Sequence, residues 1–353
     1  MKVAIITDQH FGARNDSLHF LDFYEKFYSE TFFPRLEKDK IDTVLILGDT
    51  FDRRKYVNFY TLQRAKKMFF DVLAEKDIKV YMLVGNHDTY YKNTNEVNSP
   101  ELLLMDEYDN ITIIADPQHI NIDGVEIAMM PWICPENYEA SMKLLKDSTA
   151  TICMGHFEIT GFQMYRGAPS HDGLSPDSFS KFDTVFSGHY HHKSDRGNIH
   201  YLGNPYELTW QDYDDARGFH IFDIKTSKKT FVKNPNTMFQ RIVYDDKKDS
   251  IKTINDMDLS GYKNKYIKVV VVNKTNPYLF DTFINRLYSI GLIDVTIVED
   301  VVDLDSEDDD NVDQTEDTTT ILNKYVDNLT TDLKKDKIKV LLRELYVEAL
   351  NGD

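Results

Sequence analysis

Short apolar runs recur through the first two-thirds of the chain, each ending in a polar or glycine-bearing turn and separated from the next by stretches with helical spacing. They predict strands over residues 3–7, 43–47, 79–84, 111–114, 125–130, 151–154, 184–187, 199–202 and 219–224, with helices near 17–38 and 59–75. Strands alternating with helices predict an α/β or mixed-sheet architecture. The sequence holds no internal repeat.

Near Phe231 the character changes. A charged, loop-like stretch at 245–249 precedes strand, helix and strand patterns at 265–273, 277–291 and 293–298. Pro277 suits a first helical turn and Gly291 a C-cap. This predicts a main domain over 1–232 and a small βαβ-type domain over 233–298. Residues 299–317 hold 11 acids and no base; such a block repels itself and is expected to be a disordered linker. Residues 318–353 return to helix, with Ile338, Leu341, Leu342, Leu345 and Ala349 in one apolar stripe. That segment either folds back onto the body or docks on a partner, and the linker before it favours docking.

The chain has 353 residues, 41% of them hydrophobic, enough to bury a core. No apolar run approaches the roughly 18 residues of a membrane span. The opening MKVAIITDQH turns polar too soon for a signal peptide. Two cysteines, Cys134 and Cys153, make neither a disulfide framework nor a cysteine zinc site, so a reducing cytoplasm is expected. The formal charge of −18 by itself speaks against nucleic acid.

The candidate chemistry lies where strands end. Five predicted strands run directly into metal-binding residue types: Asp8-Gln9-His10, Gly48-Asp49-Thr50-Phe51-Asp52, Gly85-Asn86-His87-Asp88, Gly155-His156 and Gly188-His189-Tyr190-His191. In open α/β sheets functional groups gather beyond the carboxyl ends of strands, so these five turns are expected to converge on one rim. A lone D-x-H is weak, but five such turns in order are not a chance pattern. Carboxylates, imidazoles and one amide oxygen, with no thiolate, suit Mn²⁺, Fe²⁺ or Zn²⁺, and Mg²⁺ less well. Seven ligands exceed what one octahedral ion needs if it must also hold water and substrate. Two ions sharing a carboxylate account for the number, and a pair roughly 3.5–4 Å apart is the arrangement used to hydrolyse phosphoesters.

In these motifs the sequence resembles the calcineurin-like metallophosphoesterases, and more finely the SbcD-type DNA repair nucleases and their phage counterparts. Met130-Pro131-Trp132, Tyr165-Arg166-Gly167, residues 201–205, Arg217-Gly218-Phe219 and residues 345–349 support the finer likeness. The resemblance implies a two-sheet β-sandwich flanked by helices, a capping domain that reads DNA shape, and C-terminal helices. It implies that Asp8, His10, Asp49 and His191 hold one divalent ion, Mn²⁺ first among the candidates, while Asp49, Asn86, His156 and His189 hold the other. His87 would act on the phosphate or protonate the leaving oxygen, oriented by Asp88, and Asp52 would support the site without binding metal. Exonuclease and single-strand endonuclease activity on DNA would follow, controlled by an SbcC-type ATPase gripped through Ile338, Leu341, Leu342 and Leu345. A homodimer within a heterotetramer is implied as well.

Blander readings stand beside these. Cys153 is expected in the core, Trp132 and Trp210 as packing, and His192 as a bystander; Arg53 and Arg54 stay open between phosphate contact and solvation. A protein phosphatase or nucleotidase of the same superfamily is the rival function, since GDTFDR resembles the phosphatases' GD-x-x-DR; a non-catalytic scaffold ranks below it. The charge also softens. Without the 11 linker acids, 48 acids face 41 bases, about −7, and two divalent ions bring this near −3.

Overall fold

The computed structural model describes residues 1–299 together with 326, 335, 337–339 and 341–342. Its strands are β1 (Lys2–Ile6), β2 (Thr43–Ile46), β3 (Lys79–Leu83), β4 (Ile111–Ile114), β5 (Gln118–Ile122), β6 (Val125–Met130), β7 (Ile152–His156), β8 (Gln163–Tyr165), β9 (Ala168–Pro169), β10 (Thr184–Gly188), β11 (Ser194–Arg196), β12 (Ile199–Tyr201), β13 (Gly218–Asp223), β14 (Lys228–Lys233), β15 (Phe239–Asp245), β16 (Tyr266–Asn273) and β17 (Asp294–Val298). Two six-stranded sheets, ordered β14-β13-β1-β2-β3-β4 and β11-β12-β10-β7-β6-β5, form a sandwich.

Burial on both faces explains why the central strands read as unbroken apolar runs. Val3, Ile5, Leu45, Leu47, Leu83, Met129, Met154 and Phe186 fill the space between the sheets. The alternate residues Ala4, Ile6, Val44, Ile46, Val80 and Met82 face the helices Leu18–Phe27, Phe33–Asp39 and Phe59–Ala65 and their neighbours. A single π turn interrupts each of the two long helical stretches, at Tyr28–Phe32 and Lys66–Phe70, and the turns meet where Tyr28 and Phe69 stand 4.7 Å apart. A third cluster, including Cys153, Phe157 and Val185, covers the outer face of the second sheet.

The small C-terminal sheet is larger than expected. Its order is β15-β16-β17, all parallel, so a strand over Phe239–Asp245 precedes the two that the pattern predicted. The helix Ile251–Asp256 connects it to β16, giving βαβαβ rather than βαβ. Helix Pro277–Ser289 starts behind the Asn276 cap and ends before Gly291 at φ 78°. Its apolar face covers the sheet with Leu279, Phe280, Phe283 and Leu287. Phe239 and Tyr266 also pack on Phe20, at 6.3 and 5.9 Å, which ties this sheet to the main core.

Contacts divide the chain into residues 1–305 and 306–353. In the second unit Val326, Ile338, Leu341 and Leu342 are helical, with Leu341 55% exposed. Leu345, Ala349 and all of the acidic stretch except Glu299 lie outside the described residues. Among the described residues no helix is long and apolar enough to cross a membrane.

Candidate metal centre

All five motif turns leave the same edge of the sandwich. Asp8 and His10 follow β1, Asp49 follows β2, Asn86 to Asp88 follow β3, His156 ends β7, and His189 and His191 follow β10. β1, β2 and β3 are parallel neighbours, as are β7 and β10, so each sheet delivers its turns side by side. Backbone bonds splice them: Asp8 N–H donates to Gly48 O and His10 N–H to Asp49 O, both at 3.0 Å. The carboxylates take part too, Asp49 accepting from His87 N–H at 2.8 Å and Asp8 from His189 N–H at 3.0 Å.

Close approach requires glycine at three of these turns. A Cβ on Gly85 would stand 2.2 Å from Asp49 Oδ1, on Gly188 2.1 Å from Thr7 Oγ1, and on Gly48 2.6 Å from His156 Nδ1.

Ligand-type atoms gather in three groups within 4.8 Å: Asp8 with His10 and His191, Asp49 with His156 and His189, and His10 with Asp49 and His87. The Asn86 amide oxygen lies 2.9 Å from His156 Nε2 and 3.0 Å from His189 Nδ1. His156 provides the test of whether a cation fits. Its Nδ1 sits 2.7 Å from Leu47 O, and a carbonyl only accepts, so Nδ1 carries the hydrogen and the neutral ring's Nε2 is a lone pair. That lone pair faces Asp49 Oδ2 at 3.1 Å and Asn86 Oδ1 at 2.9 Å. Three acceptors converging in a buried space need a positive charge between them. Burial opposes protonation of His156, yet the Asp49 and Asp8 carboxylates outweigh it and push the ring up to about 9. Burial likewise opposes protonation of His10, and Asp52, Asp49 and Asp8 raise it to about 9. A proton thus stands where a divalent cation would, and the residues fit such an ion.

Two other shifts follow from the same crowding. Burial and the neighbouring Asp49 charge raise Asp8, whereas Asp49, despite burial, is held well below the usual range by His156 and His87. Burial and the positive charges of His10 and Arg217 push His191 well down, leaving it a neutral lone-pair donor 3.0 Å from His10 Nε2.

Asp88, expected to orient His87, is fully buried, and its carboxylate accepts from the backbone N–H groups of Thr50, Phe51 and Gly85 at 3.0, 3.0 and 2.9 Å. It therefore clamps two motif turns together. The His87 ring is held through its Nδ1, which lies 2.6 Å from Asp52 O. The Asp52 side chain reaches His10 Nδ1 at 3.3 Å.

Several residues support the site in ways the motifs did not signal. Buried Arg217 donates to His191 O and Asn204 Oδ1, and is itself held by Asp212 at 2.8 Å and Asp215 at 2.9 Å. Tyr206 Oη donates to Gln9 O at 2.6 Å, and Gln9 Nε2 donates to Tyr28 Oη at 2.6 Å, fastening the Asp8–His10 turn from behind. Nothing local to residue 206 signals this, because the contact spans 197 positions. Trp132 stands 5.2 Å from His189 and 6.2 Å from His156, walling the site rather than filling a core. Trp210 does pack, 4.9 Å from Phe239. His192 pairs with Asp215 at 2.7 Å. Arg53 is committed to Asp16, Asn15 and Tyr56, and Arg54 to Thr89 Oγ1 and Tyr91 O.

A sandwich whose strand ends deliver Asp, His and Asn to a buried acceptor cluster is the arrangement of a metal-dependent phosphoesterase. Residues 1–193 match the calcineurin-like phosphoesterase family, and the chain belongs to it. Among curated relatives, Exonuclease subunit 1 of Enterobacteria phage T4 is 31% identical over 316 residues, 89% of this chain and 89% of the relative. The SbcD component of the SbcCD nuclease from Staphylococcus epidermidis is 23% identical over 385 aligned residues, 97% of this chain and 98% of the relative. DNA double-strand break repair protein Mre11 of Methanocaldococcus jannaschii is 26% identical, covering 87% and 85%.

Proposed function

We propose that the chain is a metal-dependent DNA nuclease subunit that hydrolyses phosphodiesters at DNA ends and in single strands. The observation that carries the reading is the length of the likeness. Relatives named as nucleases align over nine-tenths of the chain, well past residue 193 where the phosphoesterase match ends. The site supports the same chemistry, and Mn²⁺ is the metal we assign first for a cluster of carboxylates, imidazoles and an amide oxygen.

Asp8, His10, Asp49 and His191 would hold one divalent ion and Asp49, Asn86, His156 and His189 the other, with Asp49 common to both. Such ions supply a Lewis acid for the phosphoryl oxygens and a lowered pKa for bound water. The rest falls to the chain. Asp52 O fixes the His87 ring through Nδ1, and His87 would hand a proton from Nε2 to the departing sugar oxygen. Trp132, 5.2 Å from His189, would cover that side of the site. Asp88 keeps the Thr50–Phe51 and Gly85 backbones in register, so it positions the site without acting on substrate.

The wider assembly belongs to the same proposal. Residues 1–232 would be the catalytic domain, 233–298 a cap that reads DNA shape, 299–317 a tether, and 318–353 the segment that binds an SbcC-type ATPase through Ile338, Leu341, Leu342 and Leu345. Exposed Phe59 (89%) and Tyr60 (49%), on the early helix Phe59–Ala65, suit a homodimer contact. The phosphatase alternative needs an arginine turned to the phosphate. Arg53, the candidate, is bound instead to Asp16, Asn15 and Tyr56.

Hydrolysis of single-stranded DNA and of phosphopeptides, compared in Mn²⁺, tests the reading. Rapid DNA cleavage with phosphopeptides intact is expected; the reverse would overturn it.

A further inference from the structure

Two turns that carry metal-site residues continue outward into an unusual surface. After Asp52 the chain reads Arg53-Arg54-Lys55-Tyr56, and after Asp88 it reads Thr89-Tyr90-Tyr91-Lys92. Residues 53–60 and 89–95 contain four bases and no acid, in a chain whose acids outnumber its bases by 59 to 41. The rings are not core. Tyr56 is 61% exposed, Tyr90 40% and Tyr91 52%.

They are nonetheless held in place. Arg53 donates to Tyr56 Oη at 2.7 Å with its guanidinium 5.0 Å from the ring centre, and Tyr90 and Tyr91 meet edge-on at 4.7 Å. Arg54 ties the turns to each other through Thr89 Oγ1 at 3.1 Å and Tyr91 O at 3.4 Å. Tyr90 N–H donates to Val97 O at 2.8 Å, which braces the second turn further. Exposed rings cost free energy in water unless something covers them, and rings fixed in advance lose little entropy when it does.

We propose that Tyr56, Tyr90 and Tyr91 form a stacking platform at the mouth of the site for the unpaired bases of a single-stranded nucleic acid, with Lys55 and Lys92 beside its phosphates. The proposal rests on the nuclease reading and adds how the strand is held. Aromatic faces accept any base, and cations interleaved with them follow the backbone, so the platform grips a strand without reading its sequence. A duplex, whose bases are already stacked, gains only the electrostatic part. The platform therefore favours frayed or single-stranded substrate.

The test uses the full-length protein in Mn²⁺ with a single-stranded oligonucleotide, the same strand carrying abasic sites away from the cleaved bond, and bis(p-nitrophenyl) phosphate. Tyr56→Ala, Tyr90→Ala and Tyr91→Ala should each raise KM for the base-bearing strand on the order of 10-fold, leaving kcat nearly unchanged. Phenylalanine at the same positions should restore KM. The abasic strand should start weak on the wild type and lose nothing more in the variants, and bis(p-nitrophenyl) phosphate turnover should stay constant. Unchanged KM in the alanine variants, or an equal loss on the abasic strand, would overturn the platform while leaving the nuclease reading intact. A variant that alters oligomeric state would assign the surface to a second copy and overturn it also. Wild-type protein that hydrolyses bis(p-nitrophenyl) phosphate but no nucleic acid would remove both readings.

Discussion

Asp8, His10 and Asp49 hold φ angles of 53°, 45° and 51°, and His189 stands at 83°. Left-handed backbone at residues with a side chain costs of order 1 kcal/mol or more each, and it persists only where surrounding bonds fix it. Behind the Asp8–His10 turn those bonds come from Tyr206 and Tyr28, the former stacked 3.8 Å from Tyr24. Tyr206→Phe keeps the ring and leaves Gln9 O without its donor. We expect it to cost about 1–3 kcal/mol of stability and to weaken Mn²⁺ binding severalfold, read by urea unfolding and by calorimetric titration. Unchanged metal affinity at reduced stability would confine Tyr206 to a packing role.

The histidines give a pH dependence with a definite sign. His10 and His156 are raised to about 9 in the metal-free protein, against an ordinary 6.5. Their contribution to stability is complete below pH 6.5 and disappears as pH rises through about 9. Metal-free protein should therefore lose stability across that interval, while saturating Mn²⁺, which replaces the protons, should flatten the curve. Affinity for Mn²⁺ should rise with pH over the same range, with protons released on binding. Thermal melts with and without chelator from pH 6 to 9 would show this, and parallel curves would contradict it.

At the scale of elements, the central strands and the two long helical stretches were legible because burial on both faces leaves a continuous apolar signal. The β5, β14 and β15 strands that the pattern missed lie at sheet edges. β5 reads QHINI with two exposed positions at its start, and β14 reads KKTFVK with lysines along the sheet margin. The Asp123-Gly124 pair joining β5 to β6, with φ of 54° and 82°, was a hairpin signal that the alternation of the flanking residues did not reinforce. β15 was hidden by its charged end at Asp245 and by pairing with a strand more than twenty residues later. The candidate ligands could be picked out because each follows a strand directly or ends one. Tyr206 carried no signal, and Arg217 and Trp132 stood in quoted stretches without showing their bracing role, because only tertiary contact brings them there.

One such brace joins the sandwich to the small sheet. Buried Glu207 accepts from the backbone N–H groups of Met238 and Phe239, at 2.5 and 2.9 Å, just where β15 begins. Burial pushes its carboxyl up to about 7 from an ordinary 4.5. The folded chain thus keeps a proton that the unfolded chain has released, and stability falls as pH rises through this interval. Glu207→Gln retains an acceptor without the charge. Its stability should vary less than that of the wild type between pH 5 and 7 in denaturant titrations. An identical slope would mean that Glu207 ionises normally in the fold.

For the whole molecule, the formal charge of −18 is concentrated in residues 299–317, and two buried carboxylates face a cation site. Outside that stretch acids still outnumber bases, 48 to 41, so the chain's own grip on DNA should be weak and salt-sensitive, and firm binding should come from the proposed ATPase partner. Deleting residues 318–353 should abolish co-purification with that partner while leaving DNA cleavage by the subunit itself in place. A truncated chain that still co-purifies would show that the contact lies elsewhere.

The most direct measurement is cleavage of end-labelled single-stranded DNA in Mn²⁺ by the wild type, by Asp49→Asn and by His87→Ala, with Mn²⁺ binding measured on each. The wild type should cleave, and Asp49→Asn should lose both metal and activity. His87→Ala should retain metal, with cleavage reduced on the order of 10²–10⁴-fold. Undiminished cleavage by Asp49→Asn would contradict a metal centre bridged by that carboxylate.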